Sequence, residues 1–207
     1  MKLILASQSP RRKQLLEQLG LSFIISTSGV EEMMAAGRDP EQLVKELALA
    51  KAKDVAAKFS SGVVIGADTL VVLGDEPLGK PSTQYEAREM LQRLSGRMHR
   101  VVTGVAVVAV PAQRMMTECV TTKVKFRELS SRNIEAYLAT GEYIDKAGSY
   151  AIQGIGALLV EGIDGCYFNV VGLPLVKLAE MLQKVGIQVL GEKKSDQRGV
   201  TGLSPNH

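Results

Sequence analysis

The sequence contains no tryptophan, only two histidines and only two cysteines among its 207 residues. Two histidines cannot build a histidine-rich zinc site, so any metal ion in this chain would have to be held mainly by oxygen ligands. Cys119 and Cys166 stand apart, without the CxxC spacing of metal-binding or redox motifs. This spacing indicates ordinary reduced cysteines in a chain that needs no disulfide.

Long apolar runs are also absent. No stretch reaches the roughly 20 uncharged apolar residues that a transmembrane helix requires, and the N-terminus enters a predicted strand without the features of a signal peptide. We therefore expect a cytosolic protein that does not bind membranes. The net charge is only +3, and no segment interleaves basic and aromatic residues, so nucleic-acid binding is not indicated.

Strand and helix patterns alternate along the chain and predict an α/β fold with a mixed sheet. The long strands predicted at 101–110 and 117–126 flank a turn and form a hairpin. Further strands are predicted at 3–6, 23–26, 63–67, 70–73 and 157–163. Helices are predicted to begin at Pro10, Asp39-Pro40, near Ser82, at Ser130 and at Pro174, each a capping residue or a proline suited to a first turn. Residues 1–190 form one predicted domain, and 191–207 are a predicted disordered tail.

Residues 7–12, SQSPRR, connect a predicted buried strand to a predicted helix. The free N–H groups of a first helical turn favour an anion. Arg11 and Arg12 lie in that turn, where two cations are unfavourable unless an anion is bound nearby. The pattern favours a phosphate site, although on its own it leaves open a pair of solvated arginines.

Two charged residues interrupt apolar patterns. Lys51 falls on the apolar stripe of the helix predicted for 40–59, so it either snorkels to the surface or crosses the core into a cleft. Asp68 lies in an apolar run at a predicted strand end, where a carboxylate is costly unless it is paired, hydrogen-bonded or metal-bound. The alternative is an aspartate that only holds a turn.

Two other segments add charges of the same kinds. Residues 74–81, GDEPLGKP, are close to a phosphate-binding P-loop, but Pro81 replaces the hydroxyl residue that binds magnesium, so only Lys80 is retained as a candidate. Glu31 and Glu32 follow a predicted strand and offer a second carboxylate, although such a pair is more often solvated. A polyphosphate with magnesium or manganese would satisfy both the cations and the carboxylates; these are Arg11, Arg12, Lys51, Lys80, Glu32 and Asp68.

Several segments, in this order, resemble the signature segments of the Maf-like nucleotide pyrophosphatases: LILASQSPRRKQLL, VEE, ALAKAK, GADTLVVL, GKP, LSG and DKAGSYAIQGIGALLVEGIDGCYFNVVGLPL. The resemblance covers about residues 2–186. It implies a house-cleaning enzyme that hydrolyses a nucleoside triphosphate to the monophosphate and pyrophosphate. It also implies the fold of inosine triphosphatases, an elongated mixed sheet flanked by helices with a cleft between two lobes.

The resemblance also implies roles for individual residues. Asp68 corresponds to the proton acceptor of the family and Glu32 to a metal or water ligand, while Ser7, Arg12, Lys51 and Lys80 correspond to its phosphate-binding set. A divalent cation, magnesium or manganese, would be held by Glu32 and Asp68. Whether Asp68 acts as base or as metal ligand stays open, because a carboxylate bound strongly to a metal is a weaker base.

Three further positions bear on the substrate base. Arg11, Thr69 and Gln153 match the branch of the family that prefers dTTP and UTP, whereas the other branch carries tryptophan, glutamine and glutamate and prefers 7-methyl-GTP. One glutamine amide can meet both the N3–H donor and a carbonyl of uracil or thymine. Other readings are an inosine, xanthosine or 7-methyl-GTP pyrophosphatase, or a nucleotide-binding regulator of septum formation. The sequence leaves homodimer formation open.

Overall fold

The structure is a computed structural model and describes residues 1–30, 38–112 and 114–190. Within those ranges the chain forms seven strands and six α-helices around one sheet. The strands are β1 (Leu3–Leu5), β2 (Phe23–Ile25), β3 (Gly62–Leu73), β4 (Glu76–Leu78), β5 (Met98–Val110), β6 (Arg114–Phe126) and β7 (Val160–Asp164). The helices are α1 (Pro10–Gln18), α2 (Pro40–Ala56), α3 (Gln84–Leu94), α4 (Ser131–Leu138), α5 (Tyr167–Val171) and α6 (Leu175–Lys184). The predicted tail at 191–207 lies outside the described residues.

The sheet is mixed, as predicted. Its strand order is β2-β1-β3-β5-β6-β7, with β4 paired to β3 outside this path. β1 pairs parallel with β2 and β3, while β3, β5, β6 and β7 pair antiparallel in succession. The predicted hairpin is confirmed because β5 and β6 pair along their length, from Met98 opposite Lys125 to Ala109 opposite Arg114.

Helix starts follow the capping residues that the sequence indicates. Ser9 caps α1 through its hydroxyl, and the carboxylate of Asp39 accepts hydrogen bonds from two backbone N–H groups at the start of α2. Ser130 forms a reciprocal capping box with Asn133 at the start of α4. α3 begins at Gln84, slightly later than predicted, because the hydroxyl of Thr83 is the cap.

Two predicted strands, 63–67 and 70–73, are in fact one. β3 continues through Asp68 and Thr69 because β5 pairs with it over its whole length, with Asp68 opposite Gly104 and Thr69 opposite Thr103. The prediction that Asp68 marks a strand end is therefore wrong, and so is the alternative that it holds a turn. On the other edge of β3, β1 pairs only up to Ile65 and β4 only from Val71, which leaves a gap beside Asp68 and Thr69.

The two faces of the sheet carry different helices. Even-numbered residues of β3 face α2, as alternation along a strand requires. On the other face, Val63, Ile65 and Ala67 pack with α1, α5 and α6, and Val71 packs with α3 and α4. α2 lies very close to the sheet, because a Cβ on Gly66 or Gly104 would come within 2.2 Å of an α2 carbonyl oxygen. Because Gly66 and Gly104 lie on the neighbouring strands β3 and β5 and have no Cβ, α2 can pack directly beside Asp68.

The strand predicted at 157–163 is only partly correct. Residues Gly154–Leu159 form a 3-10 helix, and β7 begins at Val160. β4 and α5, with three and five residues, were not predicted. Among the described residues, none of the helices is both long and apolar enough to cross a membrane.

Candidate functional site

A cavity of about 570 Å³ opens at the gap in the sheet beside β3. Every site residue predicted from the sequence that the structure describes lines this cavity. They are Ser7, Arg11, Arg12, Lys51, Asp68, Thr69, Lys80 and Gln153. The remaining candidate, Glu32, lies outside the described residues, as does Glu31. The structure thus brings together residues that are up to 146 positions apart, from Ser7 to Gln153.

Lys51 and Asp68 form an ion pair at the base of the cavity. Their side chains come from the middle of α2 and of β3, and both residues are buried, with 7% and 4% of their surface exposed. The Lys51 ammonium nitrogen lies 2.5 Å from Oδ1 of Asp68. Of the two accounts of Lys51, the structure supports the one in which its side chain crosses the core into a cleft.

The Arg12 side chain lies on the face of the sheet opposite to the one that carries Lys51 and Asp68. Its Nε donates to the Gly172 carbonyl at 2.8 Å, one terminal nitrogen to the Thr69 hydroxyl at 3.0 Å, and the other to the Ser7 hydroxyl at 3.3 Å. A guanidinium presents its donors in a rigid fork, so three acceptors in different directions fix its plane. Ser7 and Thr69, named as separate site residues, are therefore also partners of Arg12.

Arg11 lies in the same helical turn but faces another part of the cavity. Burial and the charge of Arg12 lower its pKa, and the charge of Arg11 in turn adds to the burial that lowers the pKa of Lys146. Burial is the larger cause of both pKa shifts, and the neighbouring cation adds to it in each case, while Asp145 opposes both. An anion bound between these cations would relieve the repulsion. Lys146 and its neighbour Asp145 also line the cavity, although neither was predicted from the sequence.

Gln153 lies half-buried at the start of the Gly154–Leu159 helix. The carboxylate of Glu142 accepts hydrogen bonds from the N–H groups of Ile155 and Gly156, both at 3.0 Å. Gly154 has a φ of 70° and passes so close to Glu142 that a Cβ there would meet its carboxylate at 2.6 Å. Glu142 therefore fixes the backbone that carries Gln153, a role the sequence analysis missed.

Tyr150 contributes to the cavity wall and is buried. Its hydroxyl lies 2.8 Å from Nε2 of His99, which is 2% exposed and packs edge-on against Phe126 and Tyr150. Burial lowers the pKa of His99 to about 4. The imidazole is therefore neutral at neutral pH. It packs against Tyr150, which forms part of the cavity wall.

A second polar network lies behind Arg12 and was also missed by the sequence analysis. Thr103 on β5, Thr122 on β6 and Asn169 on α5 are fully buried. The hydroxyl of Thr103 lies 3.0 Å from that of Thr69 and donates to the Asn169 carbonyl at 3.0 Å. Isolated polar residues in the apolar segments VVTGVAVV and CYFNVVG were the signal that could have revealed it.

The acidic residues of the cavity bear on whether it can hold a metal ion. Among residues 1–30, 38–112 and 114–190, no group of three or more histidine, cysteine or acidic side chains could do so alone. Magnesium, however, is commonly bound by one or two carboxylates together with substrate phosphates. Asp68 supplies one buried carboxylate in a cavity rich in cations, so its chemistry fits a cation that enters with a polyphosphate.

Comparisons with known proteins show the family of this chain. The family model described as Maf-like protein matches residues 2–185, so the chain belongs to the Maf family. It is 53% identical over 190 residues to a dTTP/UTP pyrophosphatase of Moorella thermoacetica, covering 92% of this chain and 98% of that one. A dTTP/UTP pyrophosphatase of Desulforamulus reducens is 49% identical over 189 residues, covering 91% and 98%.

One solved structure is also similar. The Staphylococcus aureus Ham1 protein aligns with a TM-score of 0.45 and 15% sequence identity, covering 61% of this chain and 72% of that one.

Proposed function

We propose that this protein hydrolyses dTTP and UTP, and modified pyrimidine nucleotides of the same shape, to the nucleoside monophosphate and pyrophosphate. The single observation that carries the proposal is the convergence of Arg12, Lys51, Lys80 and Asp68 on one cavity. The relatives with about half of their residues identical over nearly the whole chain bear the name dTTP/UTP pyrophosphatase, which supports the same activity here.

The cations bind and orient the triphosphate. Arg12 and Ser7 lie where α1 begins and Lys51 reaches the cavity from α2, so the phosphates would be contacted from two sides of the sheet. Lys80, which follows β4, would contact the phosphates from a third direction. Charge held in fixed positions around a phosphoryl group stabilises the charge that builds up on its oxygens during transfer. This arrangement suits a chain of phosphates better than a single phosphate.

Asp68 is the proposed proton acceptor. Lys51 engages Oδ1, which fixes the carboxylate and leaves Oδ2 to accept the proton of the attacking water. Transfer of that proton during in-line attack on the α-phosphorus would release pyrophosphate as leaving group. A carboxylate held by a lysine on one oxygen has little freedom to rotate, so the base stays aligned.

We further propose that turnover requires a divalent cation, magnesium or manganese, held by Glu32. Asp68 would be its second ligand in place of serving as the base, and the manganese dependence of Asp68→Asn distinguishes the two roles. Such an ion, when bound, would supply charge neutralisation at the phosphates. The test is turnover of dTTP before and after treatment with a chelator, followed by addition of each metal. Loss of turnover with recovery on re-addition supports the proposal, and full activity in the chelator would contradict it.

Selection of the base is assigned to Arg11, Thr69 and Gln153. The Gln153 amide can donate to a pyrimidine carbonyl and accept from N3–H at the same time. The Glu142 carboxylate anchors the adjacent backbone, which restricts the positions that this amide can adopt. A purine with both an N1–H and an exocyclic amine presents two donors, so the N–H of the Gln153 amide would face the amine without an acceptor.

The experiment is a comparison of kcat/KM for dTTP, UTP, CTP, GTP, ITP, XTP and 7-methyl-GTP with the purified protein and saturating metal. We expect dTTP and UTP to exceed CTP, GTP and 7-methyl-GTP by at least about tenfold, the effect of one mismatched buried hydrogen bond. ITP and XTP present an N1–H beside a carbonyl, as uracil does, so their exclusion would depend on the larger size of the purine. A preference for a purine triphosphate would contradict the assignment. Binding without turnover of any nucleotide would instead support a regulatory protein.

A further inference from the structure

The direction of the hydrogen bonds behind Arg12 can be worked out from the number of protons available. The hydroxyl of Thr103 has one proton and donates it to the Asn169 carbonyl, which can only accept. In its 3.0 Å contact with Thr69, Thr103 must therefore be the acceptor and Thr69 the donor. Thr69 then has no proton left and can only accept from Arg12, at 3.0 Å.

These bonds form a directed relay from the Arg12 guanidinium through Thr69 and Thr103 to the backbone of α5. Arg12 also contacts the end of α5 directly, because its Nε donates to the carbonyl of Gly172, the C-cap residue of that helix. Thr103 is fully buried at a paired position opposite Thr69, so its hydroxyl has little freedom to turn elsewhere. Two anchor points on one short segment thus fix the guanidinium plane.

The segment itself is held firmly to the sheet. The Asn169 amide nitrogen donates to the Val101 carbonyl and to the Thr122 hydroxyl, both at 2.9 Å. Thr122 also donates to the Cys166 carbonyl at 3.2 Å and accepts from the Cys166 N–H at 3.0 Å. The Asn169 side-chain nitrogen thus ties α5 to both β5 and β6.

We propose that Thr103 is a positioning residue, which acts through Thr69 to hold the Arg12 guanidinium in the orientation that meets the substrate phosphates. The proposal rests on the phosphate-binding role given to Arg12 above. It also changes the role of Thr69. With its proton committed to Thr103, Thr69 cannot donate to a base carbonyl, so it acts on catalysis by way of Arg12.

The test compares three variants of the full-length protein. Thr103→Val removes the hydroxyl with little change of shape, and Thr103→Ser keeps the hydroxyl. Thr122→Val is the matched control, because Thr122 is equally buried and also anchors α5 but does not touch Thr69 or Arg12. The measurements are kcat and KM for dTTP, the Kd of inorganic pyrophosphate by calorimetry, and Tm.

A misplaced catalytic contact of about 1 Å can cost around 100-fold in rate. We therefore expect Thr103→Val to lower kcat by about 10- to 100-fold and to weaken pyrophosphate binding several-fold. Thr103→Ser should stay close to wild type. Thr122→Val should lower Tm at least as much as Thr103→Val, while its kcat falls clearly less, by about threefold at most, because the bond from Asn169 to the Val101 carbonyl still holds α5 and the Thr103 contacts are intact.

Equal loss of activity in Thr103→Val and Thr122→Val would overturn the proposal, since Thr103 would then only anchor α5. Wild-type activity in Thr103→Val would also overturn it. If Thr103→Val does not fold, Thr103→Cys takes its place, because a thiol is smaller than valine and a weak donor. If the wild type releases no pyrophosphate from any triphosphate, the proposed function fails, and pyrophosphate binding by the same variants still decides the relay.

Discussion

The ammonium nitrogen of Lys51 lies 2.5 Å from Oδ1 of Asp68, which joins the middle of α2 to the middle of β3. Both residues are almost fully buried. Removing one member of a buried ion pair leaves the other charge without compensation, and typically costs about 3 to 5 kcal/mol. Replacing either residue alone should therefore destabilise the fold, whatever the net contribution of the pair to stability.

We predict that Lys51→Met lowers the free energy of unfolding by about 3 kcal/mol, because the Asp68 carboxylate stays buried without the ammonium. Lys53→Met, an exposed lysine of the same helix, is the control and should change stability by less than about 0.5 kcal/mol. The double variant Lys51→Met/Asp68→Asn should lose less than the sum of its single variants. Additive losses in urea unfolding would show that the pair is not coupled.

Asp68→Asn should lower kcat for dTTP by at least about 100-fold, the usual scale for loss of a positioned base. Asparagine keeps the shape of the side chain, so far-UV circular dichroism should be unchanged. The manganese dependence of the residual activity separates the two roles of the carboxylate. An unchanged half-saturating concentration supports the base, a large increase supports a metal ligand, and unchanged kcat would exclude both.

Gln153→Glu should disfavour dTTP and UTP by about 1 to 3 kcal/mol in kcat/KM, since a carboxylate would then face a pyrimidine carbonyl in place of the amide N–H. Gln8→Glu is the matched control, because Gln8 lines the same cavity and gains the same charge. It should lower kcat/KM for all nucleotides alike. A similar loss for every nucleotide in Gln153→Glu would mean that Gln153 does not select the base.

Stability should fall as pH is lowered from about 6.5 to 4 because of His99. Burial lowers its pKa to about 4 in the folded protein, so below pH 6.5 the unfolded chain takes up a proton that the folded protein does not. Integrated over that interval, this contributes about 3 kcal/mol. The free energy of unfolding of His99→Gln should therefore depend less on pH between 4 and 6.5 than that of wild type. Identical pH profiles would contradict the burial effect.

Much of this fold can be predicted from the sequence, since the hairpin of β5 and β6 and the helix starts at Pro10 and Pro40 depend on local patterns and capping. The elements that were not predicted, β4 and α5, are too short to show the periodic hydrophobic pattern of a strand or a helix. The continuity of β3 through Asp68 was missed because a charged residue in an apolar run looks like an interruption. Only pairing with β5, a non-local contact, keeps that segment extended.

The residues that line the cavity could be named from the sequence, but their contacts could not. That Lys51 meets Asp68 depends on α2 packing closely over Gly66 and Gly104, which no local pattern reveals. The relay from Arg12 depends on Thr69 and Thr103 lying opposite each other across two strands. The pairing register of these strands is fixed by the whole sheet, so the hydrogen bonds from Arg12 to Thr69 and on to Thr103 can be identified only in the structure.

In the proposed reaction, water attacks the α-phosphorus of dTTP and expels pyrophosphate. Hydrolysis in water labelled with oxygen-18, followed by mass spectrometry of both products, tests this most directly. We predict equal amounts of dTMP and pyrophosphate, with one labelled oxygen in dTMP and none in pyrophosphate. Labelled orthophosphate together with dTDP would contradict it.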